Sequence, residues 1–114
     1  MKINHYEKDG IDVIEVKGKI LGGEDFMALD DKLYSLLGRG RKKAVLDLGE
    51  CEWISSTGLG RLIHHSKTFQ ETKGELKLAR LTAKVKEIIT ITRLLEVFDV
   101  TDTVEAAIQQ LKQS

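Results

Sequence analysis

The alternation of apolar and polar positions divides the chain into strands and helices from its first residues. Residues 2–9 mix the two kinds of position and end at Asp9-Gly10, a dipeptide suited to a hairpin turn. Ile11, Val13 and Val16 then alternate with Asp12, Glu15 and Lys17, which predicts a second strand antiparallel to the first and ended by Gly18. After Gly22-Gly23 the period changes. Phe26, Leu29, Asp30, Leu33, Leu36 and Leu37 recur three or four apart and predict a helix, closed at Gly38-Arg39-Gly40.

Lys42-Lys43 and Gly49 bound the run Ala44-Val45-Leu46-Asp47-Leu48, whose length and content predict a buried central strand. A second amphipathic helix follows, with Leu59, Leu62, Ile63, Ser66, Phe69 and Gln70 on one face and Lys73-Gly74 at its end. Leu76, Leu78 and Leu81 predict a fourth strand; Val85, Ile88, Ile89 and Thr92 a third helix; Val97 to Val100 a short last strand. Val104, Ala107, Ile108 and Leu111 share one face of a closing helix, with Asp102 or Thr103 as its N-cap. The order β-β-α-β-α-β-α-β-α is that of an α/β domain. The expected fold is a mixed sheet with the first strand antiparallel at an edge and helices packed mainly on one side. No repeat or linker divides the chain, so residues 1–114 are read as one domain.

Composition narrows the chemistry. Apolar residues make up 41% of the chain, enough for a core, so disorder is excluded. Eighteen basic residues balance eighteen acidic ones, so no global charge points to nucleic acid or an anionic membrane. A single cysteine, Cys51, forbids an internal disulfide and reads as a small buried residue. No stretch approaches the roughly 20 apolar residues of a membrane span, and Met1 to His5 do not open a signal peptide. A cytoplasmic location is expected.

No catalytic set stands out. The G-x-S-x-G pattern is absent, and Gly22-Gly23 does not make a dinucleotide motif. His64 and His65 are adjacent, about 100° apart on a helix, and lack the spacing for a shared metal. Both are expected to be exposed. Neither a metal nor a cofactor is implied. Trp53, the only tryptophan, is expected to plug the core.

The informative segment is Ile54-Ser55-Ser56-Thr57-Gly58-Leu59-Gly60, between a buried strand and a helix. Three successive hydroxyls stand where N–H groups lack intrahelical partners and carry partial positive charge. Such a terminus can hold a phosphate, and a phosphate there changes the local charge by about −1.5 to −2. Serine and threonine are also the common N-caps of any helix, so physics alone leaves capping and a charge switch both open. Gly58 and Gly60 leave room for a partner backbone or a nucleotide phosphate.

The chain resembles the STAS family, named for sulfate transporters and anti-sigma factor antagonists. The resemblance rests on Val45-Leu46-Asp47-Leu48, on Ile54 through Gly60, and on Leu95-Glu96-Val97-Phe98 followed by Thr103-Val104-Glu105-Ala106-Ala107. It implies the fold of that family and a protein-binding switch rather than an enzyme. In the implied cycle the antagonist binds an anti-sigma factor that is also a serine kinase, and a sigma factor is released. The kinase then phosphorylates the antagonist, which lets go, and a phosphatase resets it.

The position that matches the phosphorylated serine is Ser56, with Ser55 and Thr57 as alternative acceptors. Ser55 and Leu21 stand where many members carry acidic residues. The partner surface is expected to comprise Gly22, Gly23, Ser55, Ser56, Thr57, Gly58, Leu59, Gly60, Arg61 and His64. A STAS subunit bound constitutively to a phospholipid ABC transporter, or a signalling scaffold, is the alternative.

Overall fold

The computed structural model describes residues 1–113. Strand β1 (Lys2–Lys8) turns at Asp9-Gly10, both with positive φ, into β2 (Ile11–Ile20). A 3-10 turn (Gly23–Phe26) leads into α1 (Met27–Gly38), then β3 (Lys43–Ile54), α2 (Ser56–Glu71), β4 (Glu75–Ala79), α3 (Ala83–Ile91), β5 (Asp99–Thr101) and α4 (Val104–Lys112). The five strands lie in the order β1-β2-β3-β4-β5. The first pair is antiparallel and the remaining three are parallel. The predicted mixed sheet is therefore present, with β1 at an edge and β3 in the centre.

The pleat of the sheet sorts the apolar residues onto two faces. Ile14, Val16, Leu46, Leu48 and Leu78 join Leu29, Leu33, Leu36, Leu62, Phe69, Val85 and Ile89 in the main core beneath α1, α2 and α3. Ile11, Val13, Val45 and Ala79 face the other way and pack with Val104, Ala107, Ile108 and Leu111 of α4. Each fully buried leucine, isoleucine or phenylalanine contributes about 1.5–3 kcal/mol by leaving water. Three helices on one face and one on the other match the expectation of helices mainly on one side.

Several boundaries differ from the sequence reading. Gly18 does not end β2. It takes φ of 94° in an irregular stretch of the β2–β3 register, and the strand runs on to Ile20. Strand β4 stops at Ala79 because Arg80 adopts φ of 59°, so Leu81 packs on the core from a loop. Val97 and Phe98 lie in a turn, and only Asp99 to Thr101 pair with β4.

Helix ends follow familiar chemistry. At α1, Arg41 N–H reaches Leu36 C=O at 2.8 Å and Gly40 N–H reaches Leu37 C=O at 3.0 Å, with Gly40 at φ of 76°. This is the paired bonding that glycine permits just past a helix end. Starts are capped by hydroxyls at α2 (Ser55), α3 (Thr82) and α4 (Thr103).

Candidate functional site

Two bulges in β3 set the geometry of the segment that follows it. Strand β2 keeps its alternation despite the positive φ of Gly18, with Ile14, Val16 and Ile20 all in the main core. Against it, β3 gains one residue between Asp47 and Glu50 and another between Cys51 and Trp53. The inward positions on β3 are consequently Ala44, Leu46 and Leu48, then Cys51, then Ile54. A bulge adds a residue and re-aims what comes after it. Trp53 is thus turned out of the core, 38% exposed, and the expectation that it plugs the interior is corrected. Cys51 is fully buried as expected, and burial pushes its thiol pKa up.

The start of α2 is fastened to the end of β2 through Ser55. Its N–H donates to Ile20 C=O at 2.9 Å and its hydroxyl donates to Leu21 C=O at 2.8 Å. The same oxygen accepts from Gly58 N–H at 3.0 Å, the N-cap bond. Two glycines make this closeness possible. A Cβ on Gly22 would stand 2.6 Å from Thr57 Cγ2, and Gly22 has φ of 87°. A Cβ on Gly58 would stand 2.7 Å from Ile20 O. Gly58 is buried, so its missing side chain is used by the protein's own β2, not by an external backbone.

The three hydroxyls thereby separate. Ser55 is committed to capping, and the methyl of Thr57 is set against Gly22. Ser56 is the first helical residue, is exposed, and its hydroxyl has no hydrogen-bond partner among the described residues. Neither do the N–H groups of Ser56 and Thr57, and the first turn of α2 contains no acidic side chain. This end of the helix offers partial positive charge that no carboxylate of its own first turn offsets. No basic side chain of the described residues reaches the Ser56 hydroxyl either, so it is suited to receive a group rather than to attack unaided.

The remaining predicted site residues divide between surface and interior. Gly23 and Gly60 are exposed, and a Cβ on either would meet nothing within 4 Å. Leu59 is 5% exposed and belongs to the core, so it can shape a partner surface only from beneath. Arg61 and His64 lie on the outer side of α2 but are tied to α1. Arg61 donates to Asp30 at 2.8 Å, which raises the guanidinium pKa, and His64 Nε2 lies 2.6 Å from Tyr34 Oη.

His65, expected to be exposed, is fully buried and hydrogen-bonded to Asp30 at 2.5 Å. Its spacing from Leu62 and Phe69 puts it on the apolar face, and Asp30 occupies an apolar-face position of α1. A polar residue on each facing stripe was the available signal for this pair. Burial lowers the His65 pKa against the opposing pull of Asp30, so the ring is neutral and Nε2–H donates. Its Nδ1 is then a buried acceptor without a partner. Burial works against the Asp30 carboxylate, but bonds from His65 and Arg61 prevail and hold its pKa below the usual range.

Among the described residues no group of histidine, cysteine, aspartate or glutamate could hold a metal, and no helix is long and apolar enough to cross a membrane.

The profile of the STAS domain family matches residues 2–107. BtrV of Bordetella bronchiseptica, which carries the name of an anti-sigma factor antagonist, is 30% identical over 112 residues, 98% of this chain and 96% of that one. A Thermotoga maritima protein bearing the same designation has a crystal structure that superposes with a TM-score of 0.84 at 20% identity, covering 96% of this chain and 94% of that one. The anti-sigma factor antagonist SpoIIAA of Bacillus superposes with a TM-score of 0.76 at 14% identity in its unphosphorylated form, covering 99% of this chain and all of that one. Its phosphorylated form superposes with a TM-score of 0.72, covering 96% of this chain and 98% of that one.

Proposed function

The chain belongs to the STAS domain family, and from that premise we propose that it is an anti-sigma factor antagonist whose binding is switched off by phosphorylation of Ser56. The observation that carries the reading is the division of labour among Ser55, Ser56 and Thr57. Ser55 spends its hydroxyl on the cap and Thr57 sets its methyl against Gly22, so Ser56 alone of the three makes no contact that fixes the helix start. Homology to BtrV supports an anti-sigma factor as the partner class; in the proposed cycle that partner doubles as a serine kinase and a phosphatase reverses the modification. Sigma factors act on RNA polymerase, so the same reading places the chain in the cytoplasm.

The physics of the switch follows from the helix start. Unmodified Ser56 is small and neutral, and the open space at Gly60, one turn on, lets a partner surface lie close to α2. Thr57, Arg61 and His64 supply exposed contacts around it, while Gly22, Gly58 and Leu59 hold the shape from beneath. The bonds to Asp30 and Tyr34 hold Arg61 and His64 in place before a partner arrives, which reduces the ordering cost of binding.

A phosphate on Ser56 adds about −1.5 to −2 charges at a terminus whose free N–H groups accommodate them, so the fold persists. The same charge is forced into a surface that fitted a hydroxyl. Burying it unpaired costs several kcal/mol, a loss of affinity of about a hundredfold or more.

Calorimetric titration of the cognate anti-sigma factor with three forms of the chain tests this. Wild type and Ser56→Ala are expected to bind alike, and Ser56→Asp about a hundredfold more weakly. Equal binding by Ser56→Asp would end the switch and favour a constitutive subunit.

A further inference from the structure

Next to the switch lies a groove that the Ser56 chemistry leaves unused. Lys19, Leu21, Glu52, Trp53 and Lys84 line an open depression of about 410 Å³. Its floor is apolar and exposed, with Leu21 at 50% and Trp53 at 38%. The second bulge of β3 puts Trp53 there, and Lys84 Nζ stands 5.5 Å from the centre of its ring. A tryptophan turned outward forfeits burial that the core would have given it. Fixed aromatic side chains in exposed pockets are the usual anchors of protein interfaces.

We propose that this groove is a second half of the partner interface, and that it receives an apolar side chain flanked by aspartate or glutamate from the protein that meets Ser56. The inference rests on the preceding reading of Ser56. Continuity along the chain supports the placement. Leu21 C=O accepts the Ser55 hydroxyl, Gly22 abuts Thr57, and Trp53 precedes Ser55 by two residues. A partner broad enough to cover Ser56, Gly60 and Arg61 therefore reaches the groove.

Charge supplies the chemistry of the occupant. Two lysines and one glutamate rim the groove, a local excess of one positive charge on a chain whose formal net charge is zero. Lys19 has no ion pair among the described residues. The carboxylate paired with Lys84 is Glu87, at 3.9 Å, with both side chains more than half exposed. An incoming carboxylate can therefore engage either lysine without breaking a strong internal bond. A cationic segment would meet two like charges. Acidic residues on the partner would thus set approach and register, while Trp53 and Leu21 supply the buried apolar contact.

Because Trp53 is the only tryptophan, it can be labelled uniquely. The chain with 5-fluorotryptophan is titrated with its cognate anti-sigma factor, the same partner used to test Ser56, and fluorine NMR is read alongside calorimetry. The fluorine signal is expected to shift with the calorimetric isotherm. Glu52→Lys, which enlarges the positive rim, should tighten binding by about three- to tenfold, and Lys84→Glu should weaken it by about tenfold. Both effects should shrink in high salt. Tighter binding is a result that misfolding cannot imitate.

A complex seen by calorimetry with an unmoved fluorine signal and unchanged Glu52→Lys and Lys84→Glu variants would overturn the groove and leave Ser56 standing. No complex with wild type would remove both readings. A fluorine signal that moves with chain concentration alone, with dimers abolished in Trp53→Ala, would replace the partner segment by a second copy.

Discussion

Helices α2 and α4 begin with the same chemistry and continue differently. Ser55 accepts from Gly58 N–H at 3.0 Å, and Thr103 accepts from Ala106 N–H at 3.0 Å. The next residue in α4 is Val104, which is buried, and the first turn carries Glu105. The next residue in α2 is Ser56, exposed and unbonded, and the first turn carries no acid. The third residue is Ala106 in one and Gly58, pressed against Ile20, in the other. Capping thus accounts for Thr103 and for Ser55, but not for Ser56. An ordinary helix start needs one hydroxyl. The second one at α2 has no structural task that the first leaves undone.

The comparison breaks most visibly at the third residue. Gly58→Val drives side-chain atoms into Ile20 and should destabilise the domain by about 1–3 kcal/mol or more, whereas Ala106→Val should cost far less. Gly60→Arg meets open space and should leave the melting midpoint near wild type while weakening partner binding. Equal loss of stability and binding in that variant would mark Gly60 as structural. Urea unfolding of the three variants reads these differences.

The two caps should cost alike when removed. Ser55→Ala and Thr103→Ala are each expected to lose about 1 kcal/mol, with Ser55→Ala the larger because its bond to Leu21 also goes. A loss at Ser55 well below that at Thr103 would return the capping role to another hydroxyl.

Acid should separate the helices as well. Helix α2 meets α1 through His65 and Asp30, while α4 is seated on Val104, Ala107, Ile108 and Leu111. The folded pKa of His65 is depressed, so its contribution is complete above the unfolded value of about 6.5 and is lost as pH falls below it. Asp30, also depressed, adds a second loss below about pH 4. Amide exchange should show α1 and α2 losing protection before α4 between pH 7 and 5, and His65→Gln should remove that step. The smallest effect expected is that of Ser56→Ala on stability, within about 0.5 kcal/mol of wild type by the same urea unfolding.

The architecture was legible where period and boundary agreed. Ala44 to Leu48 is apolar except at Asp47, lies between charged residues and a glycine, and forms part of the central strand. Legibility failed where the backbone left its period without a compositional mark. Trp53 continues an apolar strand in sequence, yet two bulges move the inward positions to Cys51 and Ile54. Arg80 takes a left-handed conformation that nothing in its side chain announces, and Leu81 leaves the strand with it.

Helix-start chemistry made the candidate site legible as a segment, with Ser55, Ser56 and Thr57 together, and the family resemblance singled out Ser56 with the other two as alternatives. Distances to Leu21, Gly58 and Gly22 were needed to tell the cap from the free hydroxyl.

The most direct test of that assignment is residue-resolved mass spectrometry of the wild-type chain after incubation with its cognate anti-sigma kinase and ATP. The expected result is a single phosphate on Ser56, an amide NMR spectrum that changes only around α2, and loss of the complex. A phosphate confined to Ser55 or Thr57, or none at all with the complex intact, would contradict it.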